Sequence, residues 1–340
     1  ERKNFKAKDA TYRISASVYG DQVGNVLPFL KVPEQWERDY QKLRSRNETL
    51  QRIANLFFVP LLIAILFVLI PRFRQRRLVW KPLLWLGAIV GIVSFVANIN
   101  SIPLVSEAFP TAVTYRVLVA ILVLVSLIAG LLLALIIAIL AASGDAVYRE
   151  ATPNKVALPR LFTLSGLRTK EFFFSTVVGY TLAAFQLGFV VVFYLAMRRF
   201  GAWSPAEVKY SDFLSTTLPW IYPLTVGLQA ATFEEFAFRL FAIPFLKKYL
   251  KSTWLAVVIP AFVWGFLHSG YPQQPAWIRG VEVGLVGVVF GFVMLRFGIL
   301  ATLVSHYSYN AAVTSLLLLR SDNLYFMLTG GVVMDAALIP

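Results

Sequence analysis

Long runs of apolar residues dominate the chain after residue 52. A membrane-spanning helix needs about 20 apolar residues, and we interpret eight of these runs as membrane spans. They cover residues 55–71, 82–106, 117–144, 172–197, a fifth run from 213 onward, 252–278, 283–295 and 297–319. A weaker ninth run covers residues 325–338 and contains Asp335, so whether it spans is left open. The pattern predicts an all-α polytopic membrane protein with about eight transmembrane helices.

Residues 1–52 show a polar pattern instead. Alternation over residues 11–29 is strand-like. The turn formers of this stretch are Gly20 and Gly24. Pro33, with Glu34 after it, marks a helix start. Four apolar residues then recur at helical spacing, namely Trp36, Tyr40, Leu43 and Leu50. We interpret the segment as an extramembrane N-terminal arm with an amphipathic helix on the bilayer surface or the bundle.

Composition removes most other classes of protein. Hydrophobic residues make up 58% of the chain and charged residues 15%, whereas soluble domains carry about 25% charged residues. Cysteine is absent, which excludes disulfides, thiolate metal sites and a cysteine nucleophile. The net charge of +14 is explained by basic cytoplasmic loops rather than by nucleic-acid binding. We therefore expect no nucleic-acid partner.

The basic residues also predict an orientation. Fourteen Lys or Arg residues lie in the loops on one side of the predicted bundle, and six lie in the alternate loops. The positive-inside rule places the richer set in the cytoplasm and the N-terminal arm outside. The chain begins at Glu1 rather than at a methionine, so we expect that sequence upstream of it was removed or left out.

Among the eight predicted spans, Asp, Glu, Lys, Arg and His residues occur only in the last four. Such residues cost about 3 kcal/mol or more inside a span, so they mark function by default. On an α-helix Glu235 and Arg239 share a face and form a favourable pair, whereas Glu234 points about 100° away and is available. His268 lies in the sixth run, and His306 shares a helix face with Asn310 in the eighth.

One carboxylate, two imidazoles and an amide on three helices suit the activation of water. A carboxylate removes a proton from water while a histidine positions it, and an imidazole with an amide stabilises an oxyanion. The same carboxylate and imidazoles, from Glu234, His268 and His306, could instead bind zinc as a His₂Glu set. The spacing therefore allows a metal-free or a metal-dependent hydrolase.

The C-terminal half resembles the CPBP family of intramembrane proteases, also called the Abi or CAAX-protease-and-bacteriocin-processing family, whose eukaryotic member is the Ras-converting CAAX endopeptidase. Three motifs carry the resemblance, in the family's order and at its spacing. EExxxR is matched by Glu234, Glu235 and Arg239, and HxxxN by His306 and Asn310. FxxxH is matched at His268, with Trp264 in place of Phe. The resemblance covers roughly residues 172–320.

The resemblance implies roles for these residues. Glu234 would be the catalytic base and His268 its partner, while His306 and Asn310 would form the oxyanion site. Glu235 and Arg239 would hold the architecture, and Trp264 would keep an aromatic ring beside them. The substrate would be a membrane-associated peptide or protein, and the metal dependence stays open. We expect an integral multi-pass protein of the bacterial plasma (inner) membrane.

These inferences divide the chain into four parts. They are the arm (1–52), an N-terminal transmembrane scaffold (53–171), a CPBP-like catalytic core (172–320) and a C-terminal hydrophobic segment (321–340). Two alternatives to a protease remain. One is a non-catalytic immunity or scaffold membrane protein, and the other is a proton-coupled transporter whose buried Glu and His relay protons.

Overall fold

The computed structural model describes residues 8–76, 78–106, 112–205 and 211–338. Helices dominate this part of the chain, and the one sheet in it is a hairpin of β1 (Thr11–Tyr19) and β2 (Gln22–Lys31) in the arm. The hairpin turns at Gly20, whose φ of +67° suits glycine. The prediction that Gly24 forms a turn is wrong, since Gly24 lies inside β2. The alternating pattern nevertheless predicted the strands.

Thirteen helices follow in the described residues. In chain order they are α1 (Glu34–Arg74), α2 (Trp80–Asn100), α3 (Ile102–Ser106), α4 (Tyr115–Ala151), α5 (Leu158–Leu161), α6 (Leu164–Leu167), α7 (Lys170–Met197), α8 (Ile221–Glu234), α9 (Ala242–Leu250), α10 (Thr253–Leu267), α11 (Ile278–Phe297), α12 (Ile299–Leu319) and α13 (Leu324–Ala337). A π-helical segment, Glu235–Phe241, joins α8 to α9. Short 3₁₀ turns cover Arg198–Phe200 and Ser211–Ser215.

The helices confirm the predicted class of an all-helical membrane protein. Within the described residues, five are long and apolar enough to cross a membrane: α1, α2, α4, α7 and α11. Two further apolar helices, α10 and α13, are shorter. The predicted number of eight spans is therefore not confirmed.

Helix α1 corrects the picture of the arm. The sequence predicts an amphipathic helix on the bilayer surface or the bundle that ends before the first span, but the structure has a single helix of 41 residues, which packs against α10. By the rise of 1.5 Å per residue, α1 is about 60 Å long, which exceeds the hydrocarbon thickness of a bilayer. Its polar N-terminal half thus continues directly into the apolar half.

The sixth apolar run, residues 252–278, is also not one helix. α10 ends at Leu267, His268 follows as its C-terminal cap, and α11 begins at Ile278. Arg279 and Glu282, assigned from the sequence to the region outside the seventh span, therefore lie within the first two turns of α11. They form an ion pair there, and Glu282 is almost fully buried.

Small residues let the helices around the site approach closely. A Cβ atom added at Gly265 of α10 would lie 2.3 Å from the carbonyl oxygen of Gly280 and 2.6 Å from the amide nitrogen of Gly284, both on α11. Close packing at small residues commonly stabilises helix pairs in lipid, where the hydrophobic effect does not favour association. They hold α10, which ends at His268, firmly against α11. α12 lies between α7, α8 and α13 and brings His306 to the same region.

Candidate functional site

The two adjacent glutamates sit at a change of helix type. α8 ends at Glu234, and the π-helical segment begins at Glu235 and includes Arg239. A π-helix uses i→i+5 hydrogen bonds and often marks a functional site. The prediction of one regular α-helical face at this point is therefore wrong. The predicted Glu235–Arg239 pair nevertheless forms, and His306 lies near both carboxylates.

Two imidazoles converge on Glu234. The Nε2 atom of His268 lies 3.9 Å from Glu234 Oε2, and the Nε2 atom of His306 lies 3.8 Å from the same oxygen. These distances exceed direct hydrogen bonds and are of the length that a bridging water often fills. The side chains of Glu234 and His268 are 21% and 20% exposed, and that of His306 is 7% exposed. The structure thus brings together the three residues that the sequence analysis placed on three helices.

The other ring nitrogen of each histidine, Nδ1, lies within hydrogen-bond distance of an oxygen acceptor. His268 Nδ1 lies 2.9 Å from the backbone oxygen of Trp264, and His306 Nδ1 lies 2.9 Å from Glu235 Oε1. A carbonyl and a carboxylate can only accept, so the proton of each ring sits on Nδ1. In the neutral tautomers the two Nε2 atoms therefore carry lone pairs that face Glu234.

A buried ion pair supports this cluster. Arg239 Nη1 lies 3.1 Å from Glu235 Oε1, and both side chains are at most 1% exposed. The guanidinium also stacks on the indole of Trp264, 3.8 Å from the ring centroid. A delocalised cation on an aromatic face gains further stabilisation when it is desolvated. Arg239 is thus neutralised by Glu235 and covered by Trp264.

Trp264 contributes more than the sequence predicted. Its indole Nε1–H donates a hydrogen bond to Glu234 Oε2. Its ring also meets both imidazoles edge to face, with centroids 5.3 Å from His268 and 5.8 Å from His306. Sequence reasoning treated Trp264 only as an aromatic that replaces phenylalanine. The signal that was overlooked is the N–H group, which phenylalanine lacks.

Asn310 is less closely tied to the cluster. It lies one turn beyond His306 on α12 and is partly exposed. Among the described residues, it makes no side-chain hydrogen bond to Glu234, His268 or His306. Its spacing from His306 puts its amide on the same helix face, where it can reach a ligand bound beside the imidazole.

The metal alternative can be tested against the geometry. One carboxylate and two imidazoles form a donor set that zinc accepts. In the part of the chain that the structure describes, however, no group of three His, Asp or Glu side chains has the arrangement of a metal site. The mechanism below is written with side chains and water, and the chelator test that accompanies it decides between the metal-free and the metal-dependent alternative.

Comparison with known proteins gives a local match. Residues 216–312 match the family described as type II CAAX prenyl endopeptidase Rce1-like. Over 87 residues the chain is 26% identical to the sporulation-killing factor biosynthesis protein SkfC of Bacillus subtilis (strain 168). The alignment covers 26% of this chain and 18% of SkfC, so the chain spans a minor part of that relative's length. No solved structure matches the chain.

The matched segment contains every site residue that the sequence analysis selected, from Glu234 to Asn310. It includes α8, the π-helical segment, α10 and α11, and most of α12. The arm and the N-terminal scaffold lie outside it. Over residues 216–312 the chain is therefore similar to the CAAX-endopeptidase family that its three motifs resemble.

Proposed function

We propose that the protein is an intramembrane endopeptidase that hydrolyses a peptide bond of a membrane-associated protein or peptide. The observation that carries the proposal is the convergence of two imidazole Nε2 atoms on Glu234 Oε2, at 3.9 Å and 3.8 Å. This arrangement gives a carboxylate base, one imidazole that positions a water molecule and a second imidazole that can face the oxyanion. The match of residues 216–312 to a family of CAAX endopeptidases supports the same reaction class.

The first step is the activation of water. Glu234 accepts a proton from the water while His268 Nε2 accepts a hydrogen bond from its other O–H group. His268 can do so because its own proton is held on Nδ1 by the Trp264 carbonyl. The hydroxide so formed attacks the carbonyl carbon of the scissile peptide, a C–O bond forms, and the carbonyl oxygen becomes an oxyanion.

His306 and Asn310 stabilise this oxyanion in the proposal. A donor at Nε2 requires the imidazolium form of His306, so the proposal uses that form, which faces the carboxylates of Glu234 and Glu235. The His306 imidazolium donates from Nδ1 to Glu235 and from Nε2 to the oxyanion, beside the amide of Asn310. When the C–N bond breaks, Glu234 returns its proton to the leaving amine, which balances the reaction.

The substrate belongs to this proposal as well. Buried groups on membrane helices favour a substrate that reaches the site from the bilayer or its surface, as a membrane-associated chain does. The relative SkfC is named for the biosynthesis of a sporulation-killing factor, which supports a role in maturation of a peptide or protein. The comparisons do not favour the immunity, scaffold or transporter alternatives. We place the N-terminal arm outside a bacterial plasma membrane on the basis of the charge asymmetry alone.

The test is cleavage of a library of quenched fluorescent peptides by the purified protein in lipid nanodiscs. Glu234→Gln is expected to lower the rate by about 10³-fold while the protein stays folded, because general base catalysis contributes 10²–10⁴-fold. Glu48→Gln, at an exposed position of α1, is the matched control and should keep the rate. Cleavage is expected to persist after treatment with a zinc chelator. Proteolysis that survives Glu234→Gln would overturn the proposal.

A further inference from the structure

The polar half of α1 contacts the loop that follows His268. Three side chains make the contact, and they lie at spacings of three and four residues, so they share one helix face. They are Arg44, Asn47 and Gln51. The loop, residues 268–277, connects α10 to α11 and lies more than 200 residues away along the chain. The contact thus ties the arm to the end of the helix that carries the candidate site.

The three side chains donate to backbone carbonyl groups. Gln51 Nε2 donates to the Leu267 oxygen at 2.8 Å. Asn47 Nδ2 donates to the oxygens of Tyr271, at 2.9 Å, and Gln273, at 3.1 Å. Arg44 donates to the oxygens of Gly270, at 3.0 Å, and Tyr271, at 3.1 Å. The last carbonyls of a helix have no partner within it, and Gln51 supplies the donor for Leu267, the last residue of α10.

Asn47 is the centre of this contact. It is fully buried, at 0% exposure, in a part of the helix that is otherwise polar. Its Oδ1 atom accepts a hydrogen bond of 2.5 Å from Gln274 Nε2, so both ends of its amide are used. Gln274 in turn pairs through its backbone with Trp203, at 3.0 Å and 2.8 Å. A buried amide with every group satisfied fixes one geometry and disfavours others.

His268 lies inside the segment that these bonds fix. Leu267, which Gln51 holds, directly precedes it. The backbone N–H of Tyr271 donates to the His268 carbonyl at 3.2 Å, while Asn47 and Arg44 hold the Tyr271 carbonyl. The Tyr271 ring also stacks on the imidazole, with centroids 6.1 Å apart and planes at 23°. The backbone on both sides of His268 is therefore anchored to α1.

We propose that Arg44, Asn47 and Gln51 are positioning residues for His268, and that the arm sets the geometry of the candidate site through them. The consequence for catalysis rests on the proposed peptidase function, whereas the consequence for the His268 ring does not. Arg44, Asn47 and Gln51 do not touch the reacting atoms. They act by holding the backbone from Leu267 to Gln274, and a displacement of about 1 Å at a catalytic group can cost up to 10²-fold in rate.

The decisive measurement uses the fact that the chain has only two histidines. Protein labelled with isotopes in histidine alone gives two sets of imidazole NMR signals, which a His306→Gln variant assigns. Asn47→Asp keeps the size of the side chain but loses both donations from Nδ2, and Arg44→Ala removes the neighbouring donor. Both variants are expected to shift or broaden the His268 signals and to leave those of His306 in place. Arg46→Ala, at an exposed position of the same helix, is the control and should move neither.

Peptide cleavage provides the second readout. Asn47→Asp and Arg44→Ala are expected to lower kcat by about tenfold or more with KM within about twofold, because they disturb a catalytic group rather than substrate binding. The proposal is overturned if both variants match Arg46→Ala in the His268 signals. It is also overturned if they move both histidines equally as the whole protein loses stability. Should the wild-type protein cleave nothing, the peptidase function fails, while the NMR result still decides the positioning role.

Discussion

The α2–α4 pair of the scaffold and the α10–α11 pair of the core are packed by the same means. A Cβ atom added at Gly91 of α2 would lie 2.5 Å from the Gly130 oxygen of α4, much as one at Gly265 would collide with α11. α4 is otherwise mostly exposed to lipid, with 17% of its most apolar window buried, against 56% for α11. Small residues thus suffice to join helices in either half.

The two halves differ in what else they bury. The packed faces of α2 and α4 carry small polar groups such as Ser94 and Ser126, and the Ser126 hydroxyl donates to the Leu122 oxygen. The buried carboxylate of α4, Asp145, lies near the C-terminal end of that helix and pairs with Arg149. The core instead buries Glu235, Arg239 and His306 together in one cluster. We expect the cost of burying this cluster to be retained for the proposed chemistry.

The strongest test of this difference between the two halves is to remove one partner of the buried Glu235–Arg239 ion pair. Arg239→Met leaves the Glu235 charge buried with only the His306 N–H as its partner, and the loss of one member of a buried ion pair costs about 3–5 kcal/mol. We expect a large fall in the thermal unfolding temperature in detergent. Arg52→Met breaks a pair of the same i,i+4 spacing, but one whose side chains are 81% and 55% exposed, so it should change little.

A second variant separates the charge from the packing. Glu235→Gln combined with Arg239→Met removes both charges and should recover part of the lost stability, while cleavage stays low because the acceptor of His306 Nδ1 changes from a charged carboxylate to a neutral amide oxygen. Equal falls in unfolding temperature for Arg239→Met and Arg52→Met would show that a carboxylate without its arginine costs no more stability in the core than at the surface. The distinction between the two halves would then be wrong.

The role of Arg239 also shows what the sequence could predict. The spacing of Glu235 and Arg239 indicated a pair, and the three motifs selected Glu234, His268 and His306, because such information is local along the chain. The π-helical turn was not predicted, since it depends on how α8 and α9 pack rather than on residue spacing.

Other features of the site depend on long-range contacts, which periodicity cannot indicate. The Trp264 N–H reaches Glu234 across 30 residues of sequence. Asn47 reaches Tyr271 across 224 residues. Local patterns predicted the arm as a separate segment for the same reason. The burial of Asn47 on α1 depends on its contact with the loop at residues 268–277, which is distant in the sequence. The sixth apolar run was interpreted as one continuous segment, whereas α10 ends within it at Leu267, directly before His268.

The two glycine contacts offer a direct comparison of the halves. Gly91→Val and Gly265→Val both force a side chain into a neighbouring backbone, and overpacking of this kind costs about 1–3 kcal/mol. We expect similar falls in unfolding temperature for the two variants. Cleavage per folded molecule should fall only for Gly265→Val, since Gly265 lies one turn before His268 and accepts its backbone N–H at 3.0 Å.

The control is Gly188→Val on α7, where an added Cβ atom would meet nothing within 4 Å. It should alter neither stability nor cleavage. If Gly91→Val reduced cleavage per folded molecule as strongly as Gly265→Val, the scaffold would be coupled to the site. The interpretation of the first half as a passive scaffold would then have to be abandoned.

The smallest expected effect concerns a single hydrogen bond. Trp264→Phe restores the aromatic residue of the FxxxH motif but removes the N–H group that donates to Glu234. A hydrogen bond to a charged group contributes about 1.5–3 kcal/mol, so we expect kcat for peptide cleavage to fall by about tenfold or more. The unfolding temperature should change little, because a ring still covers Arg239. Trp85→Phe, at a lipid-exposed position of α2, should leave kcat unchanged. A Trp264→Phe protein that cleaves at the wild-type rate would mean that Glu234 is positioned by the two imidazoles alone, and that the indole serves only to pack against Arg239.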